Sequence, residues 1–87
     1  MKDKKNSQTL GFKTLNVGFN HFVPLERLIA VVEPESSDVK KLIKRARDNN
    51  KLINAASGRK IKSVVIMDSE QIILASIAVS TLSQRIV

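Results

Sequence analysis

The residues best suited to chemistry are the closely spaced cations of Gly58-Arg59-Lys60-Ile61-Lys62. A glycine turn followed by cations presents guanidinium and ammonium groups from a fixed piece of backbone. Arginine can bind phosphate or the edge of guanine through two parallel hydrogen bonds, whereas lysine acts as a point charge. The segment predicts a binding site for a polyanion, although on its own it is also typical of an ordinary basic loop.

A second basic surface is predicted on a helix over residues 36–49. Ser36 or Ser37 can cap this helix, and Val39, Leu42, Ile43 and Ala46 recur with the spacing of one apolar stripe. The cations on the remaining arc are Lys40, Lys41, Lys44, Arg45 and Arg47. Such a face is also common on solvated helices, so these cations form a secondary candidate surface.

The excess positive charge is concentrated in one part of the chain. The formal net charge is +7, and residues 36–62 contain nine basic and two acidic residues. Clustering of this kind is the electrostatic signature of a polyanion partner. The chain has three Phe and neither Tyr nor Trp, so stacking on single-stranded bases is poorly supported and a duplex backbone is favoured over single-stranded RNA.

Residues for catalysis or for a cofactor are scarce. With no cysteine and one histidine, His21, the sequence predicts no metal site. Three glycines do not form a phosphate-cradling motif, and we expect His21 to be packed or solvent-facing rather than a catalytic base. Glu33 and Glu35 flank Pro34 and suit the entry to a helix better than acid–base chemistry. We therefore predict a protein that is not an enzyme and binds no cofactor.

The elements that must position the cations follow from hydrophobic periodicity. The pattern predicts an α+β domain over residues 13–87, preceded by a disordered tail over residues 1–12. A small mixed or antiparallel sheet carries one amphipathic helix and a short C-terminal helix with a capping box at Thr81 and Gln84. The predicted order is β-β-α-β-β-β-α, with strands over 12–17, 28–32, 52–55, 63–67 and 72–78.

Three of these strands are apolar on both sides, yet the long helix can cover only one face of the sheet. A second subunit would cover the other face, or irregular segments and the short terminal helix could do so. Small domains without disulfides or metals commonly gain stability by oligomerisation. The sequence therefore favours a homo-oligomer.

No membrane or secretory segment is predicted. Lys2, Lys4 and Lys5 are not followed by an apolar run of seven or more residues, and the longest apolar runs are too short to span a bilayer. We expect a cytoplasmic protein with no membrane partner.

An ordered set of short segments extends from about residue 13 to the end of the chain. The segments are Asn16-Val17-Gly18-Phe19, Arg27 to Val32, Pro34 to Ser37, Ala46-Arg47-Asp48, Leu52 to Ala55, Gly58-Arg59-Lys60, Val64 to Ser69, Ile72 to Ser76, and Arg85. Together, and without a gap, they resemble the RemA family of extracellular-matrix regulatory proteins.

This resemblance implies a bacterial, nucleoid-associated transcriptional regulator that binds DNA and typically controls biofilm-matrix genes. It also implies a fold related to LytTR-type DNA-binding domains and closed rings of roughly six or more subunits. The DNA contacts of the family would fall on Arg27, Arg59 and Lys60, with Lys62 in a further basic position. The alternative is an oligomeric RNA-associated or scaffold protein that uses the same basic surface.

The chain departs from the family pattern at several of these positions. The second arginine of a pair is Lys60 here, and Lys62 replaces another arginine, so the charge remains but the two-pronged hydrogen bonding is lost. Glu26 stands beside Arg27, and Asn54 replaces an aspartate. These changes affect base-specific recognition more than binding to the phosphate backbone, as in a divergent paralogue with other target genes.

Overall fold

The computed structural model describes residues 13–86. It has two helices, six strands and one 3₁₀ turn in this range, which confirms the α+β class. In chain order these are β1 (Thr14–Gly18), β2 (His21–Pro24), the 3₁₀ turn (Leu25–Arg27), β3 (Leu28–Val32), α1 (Ser37–Asp48), β4 (Leu52–Asn54), β5 (Ser63–Met67), β6 (Ile72–Ala75) and α2 (Val79–Ile86).

A four-stranded mixed sheet forms the centre of the molecule. Its order is β3-β5-β6-β4, with β5 antiparallel to both neighbours and β4 parallel to β6. Successive side chains of a strand point to opposite faces, so the apolar β5 and β6 require cover on both faces. Nearly every residue of these two strands is buried.

Helix α1 covers one face. Val39 and Ala46 of its apolar stripe pack into a cluster with Val64, Ile72 and Leu74 of the central strands. The Ser36 hydroxyl accepts a hydrogen bond from the Val39 N–H at 3.2 Å, which satisfies one of the free N–H groups at the start of the helix. The predicted amphipathic helix and its serine cap are thus confirmed.

The opposite face is covered by the β1–β2 hairpin and by α2. Leu15, Val17 and Leu82, all buried, lie in one cluster with Val65 and Ile73. The favoured expectation, that a second subunit would cover this face, is therefore wrong. The chain covers it with its own hairpin and C-terminal helix, which is close to the alternative left open by the sequence.

A hydrogen bond ties the C-terminal helix to the hairpin. The Arg85 guanidinium donates to the backbone carbonyl of Asn16 at 2.7 Å, across 69 positions in the chain. Arginine in the last turn of a helix also interacts favourably with the helix dipole.

One strand and several element boundaries differ from the sequence prediction. Strand β2 is not predicted because Pro24 suggests a turn, but Pro24 pairs with Thr14 at the end of an edge strand, where a missing N–H is tolerated. Helix α2 begins at Val79, so Thr81 lies inside it and the capping box is wrong. The last strand ends at Ala75, before a bend at Ser76 and Ile77.

The predicted tail, residues 1–12, lies outside the described residues. Within residues 13–86, neither helix is long and apolar enough to cross a membrane.

We predict that Leu82→Ala destabilises the fold by about 2–5 kcal/mol, because it leaves a cavity where a fully buried side chain joins α2 to the sheet. Urea unfolding at a fixed protein concentration measures the change. Gln84→Ala, at an exposed position of the same helix, is the control. Equal stability of the two variants would contradict the packing of α2 against the sheet.

Candidate nucleic-acid interface

The segment between β4 and β5 is fixed to the sheet at both ends. The Ala55 N–H donates to the Leu74 carbonyl, and the Lys62 N–H donates to the Ala75 carbonyl, each at 2.8 Å. Ala55 and Ala56 are fully buried. The cations of this segment therefore project from a backbone that β6 holds in place.

A tight turn lies inside this segment. The Arg59 N–H donates to the Ala56 carbonyl at 3.0 Å, and Ser57 and Gly58 between them both have positive φ, 52° and 80°. This is the pattern of a type I′ turn, in which positive φ favours glycine. Backbone conformation rather than lack of space explains Gly58, because a Cβ there would meet no atom within 4 Å. The Asn54 side chain supports the turn by accepting from the Ala56 N–H at 2.9 Å.

Three of the four predicted primary site residues lie together. Arg59, Lys60 and Lys62 are exposed and line one open cleft of about 560 Å³. We call it the basic cleft, and its lining residues are Gly18, Phe19, Arg59, Lys60, Lys62, Ser76 and Ile77. No acidic side chain of the described residues lines it, so the cleft is suited to binding an anion.

Phe19 is a site residue that the sequence did not indicate. It lies at the tip of the β1–β2 hairpin, and the Arg59 guanidinium carbon is 5.4 Å from the centre of its ring. That distance is within the range of a cation–π interaction. The sequence signal that could have indicated Phe19 is its position in a hairpin turn, where Asn or Gly is usual.

Arg27, the fourth predicted residue, lies elsewhere. It ends the 3₁₀ turn and pairs with Asp68 at 3.5 Å, at the end of β5 opposite Lys62. The five residues of β5 lie between Lys62 and Asp68, so these two are about 20 Å apart along the strand at roughly 3.3 Å per residue. Within one subunit, Arg27 therefore does not join the basic cleft.

The cations of the secondary surface are all exposed on α1, which covers the face of the sheet opposite the hairpin. Arg45 also lines a separate cavity of about 260 Å³ that includes Asp68 and Glu70. The surroundings of Arg45 are therefore of mixed charge.

Acidic residues adjoin the basic cleft on one side. Glu33 and Glu35 share a second cleft, of about 430 Å³, with Lys60 and Lys62. His21 is exposed at the start of β2, which agrees with a solvent-facing imidazole. Within residues 13–86, no group of three or more His, Cys, Asp or Glu residues could hold a metal ion.

Comparison with known proteins assigns the chain to a family. The model of the RemA-like family, described as extracellular matrix regulatory protein A-like, matches residues 14–86. The chain belongs to this family. The described range of the chain is almost entirely within the RemA-like match, so the hairpin, both helices and the basic cleft are parts of the family domain.

Curated relatives of the RemA-like chain are of similar length. A protein of Oceanobacillus iheyensis is 38% identical over 78 residues, covering 90% of this chain and 91% of its own. Proteins of Halalkalibacterium halodurans and Clostridium kluyveri are 40% and 42% identical over 77 residues, covering 88% of this chain and 88% and 84% of their own. All three are named "putative regulatory protein". The family description is that of a regulator.

We predict that Asp68→Asn changes the free energy of unfolding by less than about 1 kcal/mol, because the Arg27–Asp68 pair is exposed and screened by water. Chemical denaturation measures this, with Glu26→Gln as a control that removes a neighbouring exposed carboxylate. A loss of several kcal/mol would identify Arg27 as a structural residue that is not free to bind a partner.

Proposed function

We propose that this RemA-like protein is a transcriptional regulator that binds duplex DNA through the basic cleft. The observation that carries the proposal is the convergence of Arg59, Lys60 and Lys62 on one cleft, from a backbone anchored to β6. Backbone phosphates are the polyanion that such a surface fits best. The family description extends the proposal to genes of the extracellular matrix. A fold related to LytTR-type DNA-binding domains is part of the proposal through the family resemblance alone.

The contact between Arg59 and Phe19 favours the cleft over the surface of α1. An exposed lysine or arginine loses rotamer freedom when it is fixed against a phosphate, and the loss is smaller when its surroundings already order it. Arg59 rests against Phe19, and the turn that carries it is hydrogen-bonded internally. Among the described residues, the helix cations have no comparable support.

The alternative partner is RNA or another polyanion. Single-stranded recognition commonly uses several aromatic side chains on which bases stack, whereas Phe19 is the only aromatic side chain among the described residues that line the basic cleft. Affinities for duplex DNA, duplex RNA and single strands of matched sequence separate these partners. Equal or tighter binding of RNA would favour the alternative.

We also propose that the protein acts as a closed ring. Two large apolar side chains are exposed on opposite edge strands of the sheet, Ile29 on β3 at 64% and Ile53 on β4 at 37%. Two different patches that meet head to tail form a heterologous interface, which generates a ring when the rotation closes. A ring repeats the basic cleft on each subunit, so modest single contacts combine into tight binding. Arg27 of one subunit can then serve the same DNA as the cleft of another.

We predict that Arg59→Ala or Lys60→Ala weakens duplex binding by about tenfold or more, because hydrogen bonds to charged groups contribute roughly 1.5–3 kcal/mol. Removing one phosphate-binding cation also lowers the slope of log affinity against log salt concentration by about 0.9. Fluorescence anisotropy over a salt series measures both quantities. Lys62→Ala should act in the same direction.

Lys41→Ala and Lys44→Ala remove one charge each from the exposed face of α1 and are the matched controls. We expect them to have smaller effects on both affinity and salt slope. If they abolish binding and the cleft variants do not, the DNA surface is α1.

We predict that Ile53→Glu breaks the ring into smaller species, because it places an unpaired charge in the proposed interface. Light scattering at micromolar concentration measures the mass, and the wild type should give one closed assembly. Gln84→Glu, which adds a carboxylate at an exposed position of α2, should leave that assembly intact. A wild-type chain that is a monodisperse monomer would contradict the ring.

A further inference from the structure

The hairpin turn beside the basic cleft has an unexpected residue. Gly18 pairs with His21, so Phe19 and Asn20 form a two-residue turn. Both have positive φ, 50° and 65°, as a type I′ turn requires. Asn is well suited to this conformation, but a bulky Phe is rarely found in it. The chain thus keeps a strained residue at the tip.

The strained residue does not serve the apolar core. Phe19 is 47% exposed and belongs to neither of the two clusters that fill the sides of the sheet. Its ring instead faces Arg59, at 5.4 Å from the guanidinium carbon, and both side chains line the basic cleft. Backbone strain that is retained without a gain in core packing is a common feature of functional sites.

We propose that Phe19 is a positioning residue, whose ring holds the Arg59 guanidinium ready to bind phosphate. This rests on the proposed function of the cleft. A free arginine on an exposed turn must lose its rotamer freedom on binding, whereas one resting on a phenyl ring has lost part of it already. An exposed cation–π contact corresponds to a factor of about two to five in the affinity of one site.

Substitutions that keep or remove the aromatic ring of Phe19 provide the first test. Phe19→Tyr keeps the aromatic face and should bind duplex DNA like the wild type. Phe19→Leu keeps an apolar side chain without the face and should weaken binding by about two- to fivefold for each cleft engaged. Equal affinities of the Tyr and Leu variants would overturn the proposal, because the cation–π contact would then have no part in binding.

Substitutions in the hairpin turn distinguish a positioning role of Phe19 from a role in folding. Phe19→Asn places a favoured residue in the type I′ turn, so the unfolding midpoint should stay the same or rise while DNA affinity falls. Asn20→Gly also suits the turn but keeps the phenyl ring of Phe19. It is the matched control and should keep full affinity. If Phe19→Asn lowers both stability and affinity, the phenyl ring of Phe19 is needed for folding, and the proposal is overturned.

A double-mutant cycle with Arg59→Ala identifies the residue through which Phe19 acts. The effect of Phe19→Leu on duplex affinity should disappear when Arg59 is already alanine. If the effect persists in full, Phe19 contacts DNA directly, and the positioning role is wrong while the cleft remains the binding site. If Arg59→Ala itself leaves affinity unchanged, the proposed function of the cleft fails first.

Discussion

The two central strands, β5 and β6, carry apolar side chains on both faces, and the rest of the fold depends on covering them. Helix α1 covers one face, and the β1–β2 hairpin with α2 covers the other. Leu82 is fully buried at the second contact, and Arg85 ties α2 back to the carbonyl of Asn16. A domain of this size thus completes both layers of its core within one subunit.

The basic cleft is a consequence of that arrangement. The connection from β4 to β5 must return past the end of β6, and hydrogen bonds at Ala55 and Lys62 fix it there. The hairpin that covers the sheet ends beside the same connection, which brings Phe19 to Arg59. The cations are therefore positioned by the elements that build the core, without a dedicated binding helix.

Some of this could be predicted from the sequence. Helix α1 and strand β5 are predicted closely, because a 3.6-residue stripe with a serine cap and a β-branched run between turns are strong local signals. Strand β2 is four residues long and contains Pro24, so its local signal favours a turn. Only pairing with β1, a contact between chain segments, makes it a strand.

The candidate site was predictable in its charges and not in its geometry. Arg59, Lys60 and Lys62 are neighbours in sequence, and they remain neighbours in space. The separation of Arg27 follows from the antiparallel register of β3 with β5, which places Leu28 opposite Met67. The stacking of Arg59 on Phe19 depends on how the hairpin lies over the sheet, and no local pattern encodes that.

The covering of both sheet faces also changes the reason to expect an assembly. An uncovered face would have made a partner necessary for the fold of each subunit. Exposed Ile29 and Ile53 on the two edge strands instead favour contacts between subunits that are already folded. The proposed ring would arrange the basic clefts around one surface, and it is not required to complete the core of a subunit.

The most direct test of the account is a lysine footprint of the intact protein with and without duplex DNA. Acetylation by an amine-reactive ester, read by mass spectrometry, reports the accessibility of each exposed lysine. DNA should protect Lys60 and Lys62 and leave Lys40, Lys41 and Lys44 reactive. Protection of the three helix lysines with continued reactivity of Lys60 and Lys62 would contradict binding through the basic cleft.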